Sequence, residues 1–274
     1  MRFTLQDAFR SGFLRAAVFA LAVVALGACA AKEKPYVERP VETLYNNALT
    51  QLNNDEFEEA AKAFDEVERQ HPYSVWAVRA QLMSAYAFYL ANKYDEAIIS
   101  LDRFIQLHPS NRDIAYAHYL KALCYYEQIS DIGRDQKMTR LALEALKELI
   151  VRFPSSKYAR DAQVKLDLTF DHLAGKEMEI GRYYLKRGQY LAAINRFRNV
   201  VEHFQTTTHV PEALHRLTEA YLAIGVVDEA KKTAAVLGHN FPGSEWYLDS
   251  YRLLEGKNVS FAGAEPKKPW YWPF

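Results

Sequence analysis

Cys29 is the residue whose chemistry is most sharply framed by its neighbours. It closes the run Leu26-Gly27-Ala28-Cys29, after an apolar stretch from Ala16 to Ala25 and a basic head with Arg2, Arg10 and Arg15 against a single Asp7. Basic head, apolar run, small residues and a break form the pattern of a secretory signal peptide. Cleavage just before Cys29 would leave a cysteine as the first residue, a site for lipidation. No second constellation promises chemistry. The sequence carries no nucleophile elbow, no phosphate-cradling glycine loop and no paired-histidine zinc helix. His203, His209 and His215 are spaced by six, which does not put them on one helix face, and Pro211 interrupts them. No metal site, no catalytic residue and no enzymatic activity are therefore expected. His71 and His108 fall in helix-stop phrases and read as capping or surface residues. The pairs Glu58-Glu59 and Asp95-Glu96 open helices, where negative charge complements the dipole.

The cysteine at the break makes residues 1–28 resemble a bacterial lipoprotein signal. In that class the cysteine receives a diacylglycerol and an N-acyl chain. These acyl groups on Cys29 are the only non-protein groups expected. Two readings compete. An uncleaved anchor helix would need about 20 apolar residues to span a bilayer, more than the run provides. Cleavage without lipid is the other. Ala31, two positions after Cys29, is not the aspartate associated with inner-membrane retention, so the outer membrane is favoured.

Composition bounds the rest. Removing residues 1–28 takes three basic and one acidic residue from the 34 of each sign, leaving 31 and 33. That near-neutral balance excludes a nucleic-acid binder of the usual basic kind. Half the chain is apolar and 14% aromatic, enough for a sizeable core. With Cys29 lipidated, Cys124 has no partner, so disulfides do not stabilise the fold. Its place in the apolar run Tyr119 to Tyr126 predicts a buried, inert thiol.

The elements that position everything else come from internal repetition. Five segments end in related phrases: His71-Pro72-Tyr73-Ser74, His108-Pro109-Ser110-Asn111, Phe153-Pro154-Ser155-Ser156, Phe204-Gln205-Thr206-Thr207 and Phe241-Pro242-Gly243-Ser244. Proline cannot continue a helix, so the four phrases that carry one read as stops, and Phe204-Gln205-Thr206-Thr207 reads as one by its likeness to them. Twelve residues before each stop position stands Ala60, Ala97, Ala142, Ala193 or Ala230, and eight before it Phe64, Leu101, Leu146, Phe197 or Ala234. A preceding helix carries its own small residue at Ala48, Ala85, Ala122 and Gly181, with Thr218 a poorer fit. This is the tetratricopeptide pattern of helix, tight turn, helix and proline. It predicts an all-α, right-handed superhelical solenoid of about five helix-turn-helix repeats over residues 43–255. A lipidated tether over 29–42 precedes it, and a flexible basic and aromatic tail over 256–274 follows. The third repeat's extra residues fall between Ile129 and Thr139. The fourth has a first helix of roughly Tyr158 to Lys186, with a possible break at Gly175.

Helical spacing then singles out a set of tyrosines. The first-helix packing positions are filled by Leu44, Ala48, Ala85, Phe88, Ala122 and Tyr125. Tyr45, Tyr86, Tyr89, Tyr116, Tyr119 and Tyr126 are left to point into the groove. Tyr86/Tyr89 and Tyr116/Tyr119 are three apart and share a face. Such a groove suits extended peptides rich in aromatic and apolar residues, since tyrosine supplies contact area and a hydrogen bond at little entropic cost. The competing reading makes several of these tyrosines ordinary core.

With signal, tether and repeats in this order, residues 16–255 resemble the BamD family of outer membrane protein assembly lipoproteins. The most specific stretch is Leu101-Asp102-Arg103-Phe104-Ile105-Gln106-Leu107-His108-Pro109, running on to Ile114-Ala115-Tyr116-Ala117-His118-Tyr119. Arg134-Asp135-Gln136 sits where the family has an insertion, and Ala193-Ile194-Asn195-Arg196 resembles its N-R step. The resemblance implies an outer membrane lipoprotein at the periplasmic face, working in the BAM complex that folds and inserts β-barrel proteins. It implies as partners BamA's periplasmic domains, other BAM lipoproteins, and unfolded barrel proteins whose aromatic-terminated signals fit a tyrosine groove. By position Arg196 is the expected BamA contact, with a plain surface arginine as the alternative. The tail Lys267-Lys268-Pro269-Trp270-Tyr271-Trp272-Pro273-Phe274 departs from the better-known members. Two other readings remain: a different periplasmic repeat scaffold, such as a coordinator of cell division and cell-wall synthesis, and an enzyme on a helical-repeat frame. The first lacks its coiled-coil segment here, the second its catalytic constellation.

Overall fold

The computed structural model describes residues 38–256. The chain divides into Met1–Pro40 and Val41–Phe274. Of the first unit only residues 38–40 are described, and they hold no regular element. Cys29, most of the tether and the tail beyond Gly256 lie outside the described residues.

Eleven helices and no strand are found among the described residues. They pair in order: α1 (Val41–Asn53) with α2 (Phe57–Gln70), α3 (Val75–Leu90) with α4 (Tyr94–Leu107), and α5 (Ile114–Tyr126) with α6 (Lys137–Arg152). Next come α7 (Lys157–Lys186) with α8 (Tyr190–His203) and α9 (Val210–Ala223) with α10 (Val227–Asn240), closed by α11 (Glu245–Leu254). From α1 to α10 each helix packs chiefly on its sequence neighbours, as a repeat array requires, while α11 packs on both α9 and α10. α1 begins at Val41, two residues earlier than the expected start of the repeats.

Two local devices repeat. The first joins the helices of a pair. In four of the five pairs the N–H two residues past the first helix's cap reaches back to a carbonyl one turn in: Glu56 to Gln51, Lys93 to Phe88, Gln189 to Tyr184 and Val226 to Tyr221. This is the Schellman closure, which needs a left-handed residue after the helix. Those residues are Asp55 (φ 63°), Asn92 (φ 58°), Gly188 (φ 70°) and Gly225 (φ 81°), the types that tolerate that region. The third pair replaces the turn by the insertion over 127–136. Buried Gln136 organises it, donating to the carbonyls of Asp131 and Arg134 at 3.2 and 3.1 Å and accepting from the Thr139 hydroxyl at 2.8 Å.

The second device is the stop phrase. The amide of Ser74, Asn111, Ser156, Thr207 or Ser244 donates to the carbonyl of the His or Phe three residues before it. Ser74 and Ser244 then cap the next helix through their hydroxyls, accepting from the amides of Trp76 and Trp246 at 3.1 and 3.2 Å.

Within each pair the small first-helix residue and the large second-helix residue are both buried, and their sizes are complementary: Ala48/Phe64, Ala85/Leu101, Ala122/Leu146, Gly181/Phe197 and Thr218/Ala234. Thr218, a poorer fit by the repeat pattern, faces the one small partner. Its hydroxyl is satisfied by the Leu214 carbonyl at 3.0 Å. The expected break at Gly175 is absent, since α7 runs unbroken for 30 residues. Gly175 serves instead as a docking point. A Cβ there would meet His209 Nε2 at 3.2 Å and the insertion's Ile132 at 3.7 Å. Lys176 donates to the Gly133 carbonyl at 3.1 Å. The third repeat's extra loop is thus braced against the fourth repeat's extra helix length.

Candidate peptide-binding face

Aromatic rings join the repeats. Three positions before the small residue, a ring of one first helix meets a ring at the second position of the next. Tyr45 meets Trp76 at 4.8 Å between centroids, Tyr119 meets Tyr158 at 5.0 Å, and His215 meets Trp246 at 5.3 Å. Offset and tilted pairs at such distances contribute about 0.5–1.5 kcal/mol beyond their buried area.

This pattern decides where the tyrosines lie. Tyr45 is a correction: it is buried in the first core cluster, between Phe64 and Trp76. It stands three residues before Ala48 and so on the packing face, and Trp76 covers what remains. The other five are half-buried and lie on α3 and α5, each with part of its ring in the core and part at the surface. Tyr86, Tyr89 and Tyr116 pack against the same core cluster. The Tyr116 ring lies 5.4 Å from that of Tyr158. The Tyr119 ring stacks on Tyr158, and its hydroxyl donates to Asp161 Oδ2 at 2.5 Å. Lys165, one turn beyond Asp161, pairs with that carboxylate at 3.3 Å and places its ammonium 5.4 Å from the Tyr126 ring centre. Tyr89 adds a long contact of 3.5 Å to Glu127. The result is a continuous tyrosine surface across the first helices of repeats two, three and four, rimmed by Glu127, Asp161 and Lys165.

Tyr158 belongs to this surface and was not singled out by helical spacing. Its sequence signal is the stop phrase itself: Ser74-Val75-Trp76, Ser156-Lys157-Tyr158 and Ser244-Glu245-Trp246 all place an aromatic two residues after the serine that precedes the helix.

The hydroxyls of Tyr89, Tyr116 and Tyr119 are neutral donors. Burial raises the Tyr89 phenol to about 12, helped by Glu127. Tyr116 and Tyr119 are raised as well, mainly by burial, with the Asp161 hydrogen bond adding to the effect on Tyr119. In turn the Tyr119 hydroxyl holds the Asp161 carboxyl below its ordinary range. Such a surface offers ring area and hydrogen bonds without charge, which suits an apolar, aromatic peptide.

Arg196 lies elsewhere. It projects from α8 into a cleft of about 520 Å³ against α7, lined by Glu177, Tyr184, Asn195, Arg198, Asn199 and Glu202 among others. Its guanidinium pairs with Glu177 at 3.1 Å, half-exposed. Cys124 is a buried free thiol, raised to about 12 by desolvation. His215 is hydrogen-bonded to Ser250 at 2.9 Å, whereas His209 faces Asp171. Among the described residues no cluster of His, Cys, Asp or Glu could hold a metal ion, and no helix is long and apolar enough to cross a membrane.

Helix pairs with complementary small and large residues, Schellman turns and a half-buried aromatic face define a tetratricopeptide-repeat binding scaffold. Residues 37–237 match the family model described as an outer membrane lipoprotein. Among curated proteins, the chain is 54% identical over 252 residues to the outer membrane protein assembly factor BamD of Caulobacter vibrioides, covering 90% of this chain and 82% of that one. The BamD of Rickettsia prowazekii is 46% identical over 242 residues, covering 88% and 96%. That of Neisseria meningitidis serogroup A is 36% identical over 222 residues, covering 77% and 83%. The chain belongs to the BamD family of outer membrane protein assembly factors, which are not enzymes.

Proposed function

We propose that this protein is held at the periplasmic face of the outer membrane by the acyl chains on Cys29. There it receives aromatic-rich strand segments of unfolded β-barrel proteins on its tyrosine face and docks on BamA's periplasmic domains through its later repeats, beside other BAM lipoproteins. The observation that carries the reading is the continuous surface of Tyr86, Tyr89, Tyr116, Tyr119 and Tyr158. Its rings are held in place by the core yet half open, as a binding site for extended aromatic segments requires. Family membership supports the setting. The test is affinity purification of the full chain from solubilised outer membrane. Recovery of a large barrel protein with periplasmic domains supports the reading, and recovery of cell-wall synthases instead would replace it with the coordinator alternative.

Two variants refine that experiment. Arg196→Glu sets a second carboxylate against Glu177 and removes the half-exposed guanidinium. It should release the barrel subunit in the pull-down. The swap Arg196→Glu/Glu177→Arg restores the internal pair with reversed polarity, so continued loss there assigns the effect to docking and recovery assigns it to local structure. Cys29→Ala should shift the protein from membrane to soluble fractions while leaving its helicity and its capture of BamA in detergent unchanged. Membrane retention of that variant in cells depleted of BamA would show a second anchor.

A further inference from the structure

The tyrosine face and the segment after the repeats have complementary chemistry. The segment reads Lys267-Lys268-Pro269-Trp270-Tyr271-Trp272-Pro273-Phe274. Pro269 and Pro273 flank its run of three rings, Trp270-Tyr271-Trp272, and short proline-bearing peptides are a class of ligand that docks on aromatic-lined grooves. The face offers tyrosine rings, and its rim carries the exposed carboxylates of Glu127 and of Asp161, the latter shared with Lys165, opposite in charge to the two lysines. Reach is sufficient. The thirteen residues from 257 to Pro269 span up to about 43–47 Å when extended. α11 packs on α9 and α5 on α7, while Arg182 of α7 pairs with Glu212 of α9 at 2.9 Å, so the path crosses three helix-to-helix steps, about 30 Å at roughly 10 Å each.

We propose that residues 267–274 occupy the tyrosine face of the same chain as an internal occupant, which an incoming barrel segment must displace. The proposal rests on the reading of that face as a peptide site. A tether of this length presents its end at an effective concentration on the order of millimolar. A tail with an intrinsic affinity of roughly 0.1 mM would then weaken a competing peptide about tenfold. The segment thereby sets a threshold: aromatic sequences weaker than the tail are excluded, and stronger ones enter.

The test compares the detergent-solubilised full chain with Trp270→Ser/Trp272→Ser, whose changes lie outside the described repeats. The probe is a fluorescent peptide of residues 265–274. Binding to the double tryptophan variant should be about tenfold tighter than to the unchanged chain, and should be lost when Tyr86→Ala/Tyr119→Ala is added. Equal binding to the unchanged and tryptophan-substituted chains would overturn the proposal. So would tight binding indifferent to the tyrosine changes, or loss of binding to anionic phospholipid vesicles as the sole effect of the tryptophan changes, which would assign the tail to the membrane. A second probe, the last strand of a β-barrel protein, separates the two claims. If it needs the tyrosines but ignores the tail, the peptide site stands and the internal occupant falls. If neither probe needs the tyrosines, both fall.

Discussion

Changing Tyr86 and Tyr119 together to alanine is expected to weaken binding of a barrel-strand peptide by about 30- to 150-fold, the loss of roughly 2–3 kcal/mol of ring contact. Far-UV circular dichroism should be unchanged at 25 °C. The expectation follows from how these rings are held. Tyr86 and Tyr116 are neighbours on adjacent first helices, and Tyr119 lies against Tyr158 with its hydroxyl on Asp161. Each has a face committed to the core and a face available to a ligand. Removing the Tyr119 ring also loosens the joint between repeats three and four, at a cost of about 1–2 kcal/mol. Tyr119→Phe separates the contributions, because it keeps the stack and loses only the hydrogen bond to Asp161. A titration by fluorescence anisotropy reads the result. Unchanged affinity in a folded double variant would remove this face from the account.

The second large effect lies in the core. Gly181→Ala is expected to destabilise the fourth repeat by roughly 2 kcal/mol, although alanine is the better helix former by about 1 kcal/mol. A Cβ at 181 would sit 2.4 Å from Phe197 Cε1 and 2.8 Å from its Cδ1 and Cζ. Phe197 is fully buried, so its ring has nowhere to swing. The first repeat holds Ala48 opposite Phe64, so the clash reflects how closely α7 approaches α8 and not ring size alone. Gly181→Ala/Phe197→Leu, which installs the Ala85/Leu101 pairing, should recover most of the loss. Gly238 provides the contrast. A Cβ there would also lie 2.4 Å from a ring, that of Tyr247, but this ring is only half-buried and near the end of the array. Gly238→Ala should therefore be nearly neutral. Urea midpoints of the three variants and the unchanged chain check the order. A Gly181→Ala midpoint at or above that of the unchanged chain would contradict the packing argument.

Much of this was legible in the sequence, for reasons that particular residues make plain. The stop phrases from His71-Pro72 to Phe241-Pro242 marked the end of every second helix, four through a proline that leaves the backbone few options and the fourth in order, Phe204-Gln205-Thr206-Thr207, through the same turn without one. The small residues at 48, 85, 122, 181 and 218 marked every crossing, because close helix approach tolerates little else. Three things were not legible. Tyr45 occupies a packing position identical in spacing to that of Tyr119. What distinguishes them is the size and setting of the covering residue, Trp76 in one case and Tyr158 in the other. Gly175 suggested a break by propensity, yet the helix continues because two loops close on that glycine from outside. Tyr158 was overlooked because its role arises between repeats, and periodicity within one helix carries no information about the ring waiting on the next.

The account's central claim is that unfolded barrel segments lie on the tyrosine face. Its most direct test is site-specific photo-crosslinking in cells, with p-benzoylphenylalanine replacing Tyr89 on that face or Val151, which is exposed near the end of α6. Crosslinks to newly exported β-barrel precursors from position 89, absent or weak from position 151, are the predicted result. Precursor crosslinks of equal yield from both positions, or from 151 alone, would contradict it.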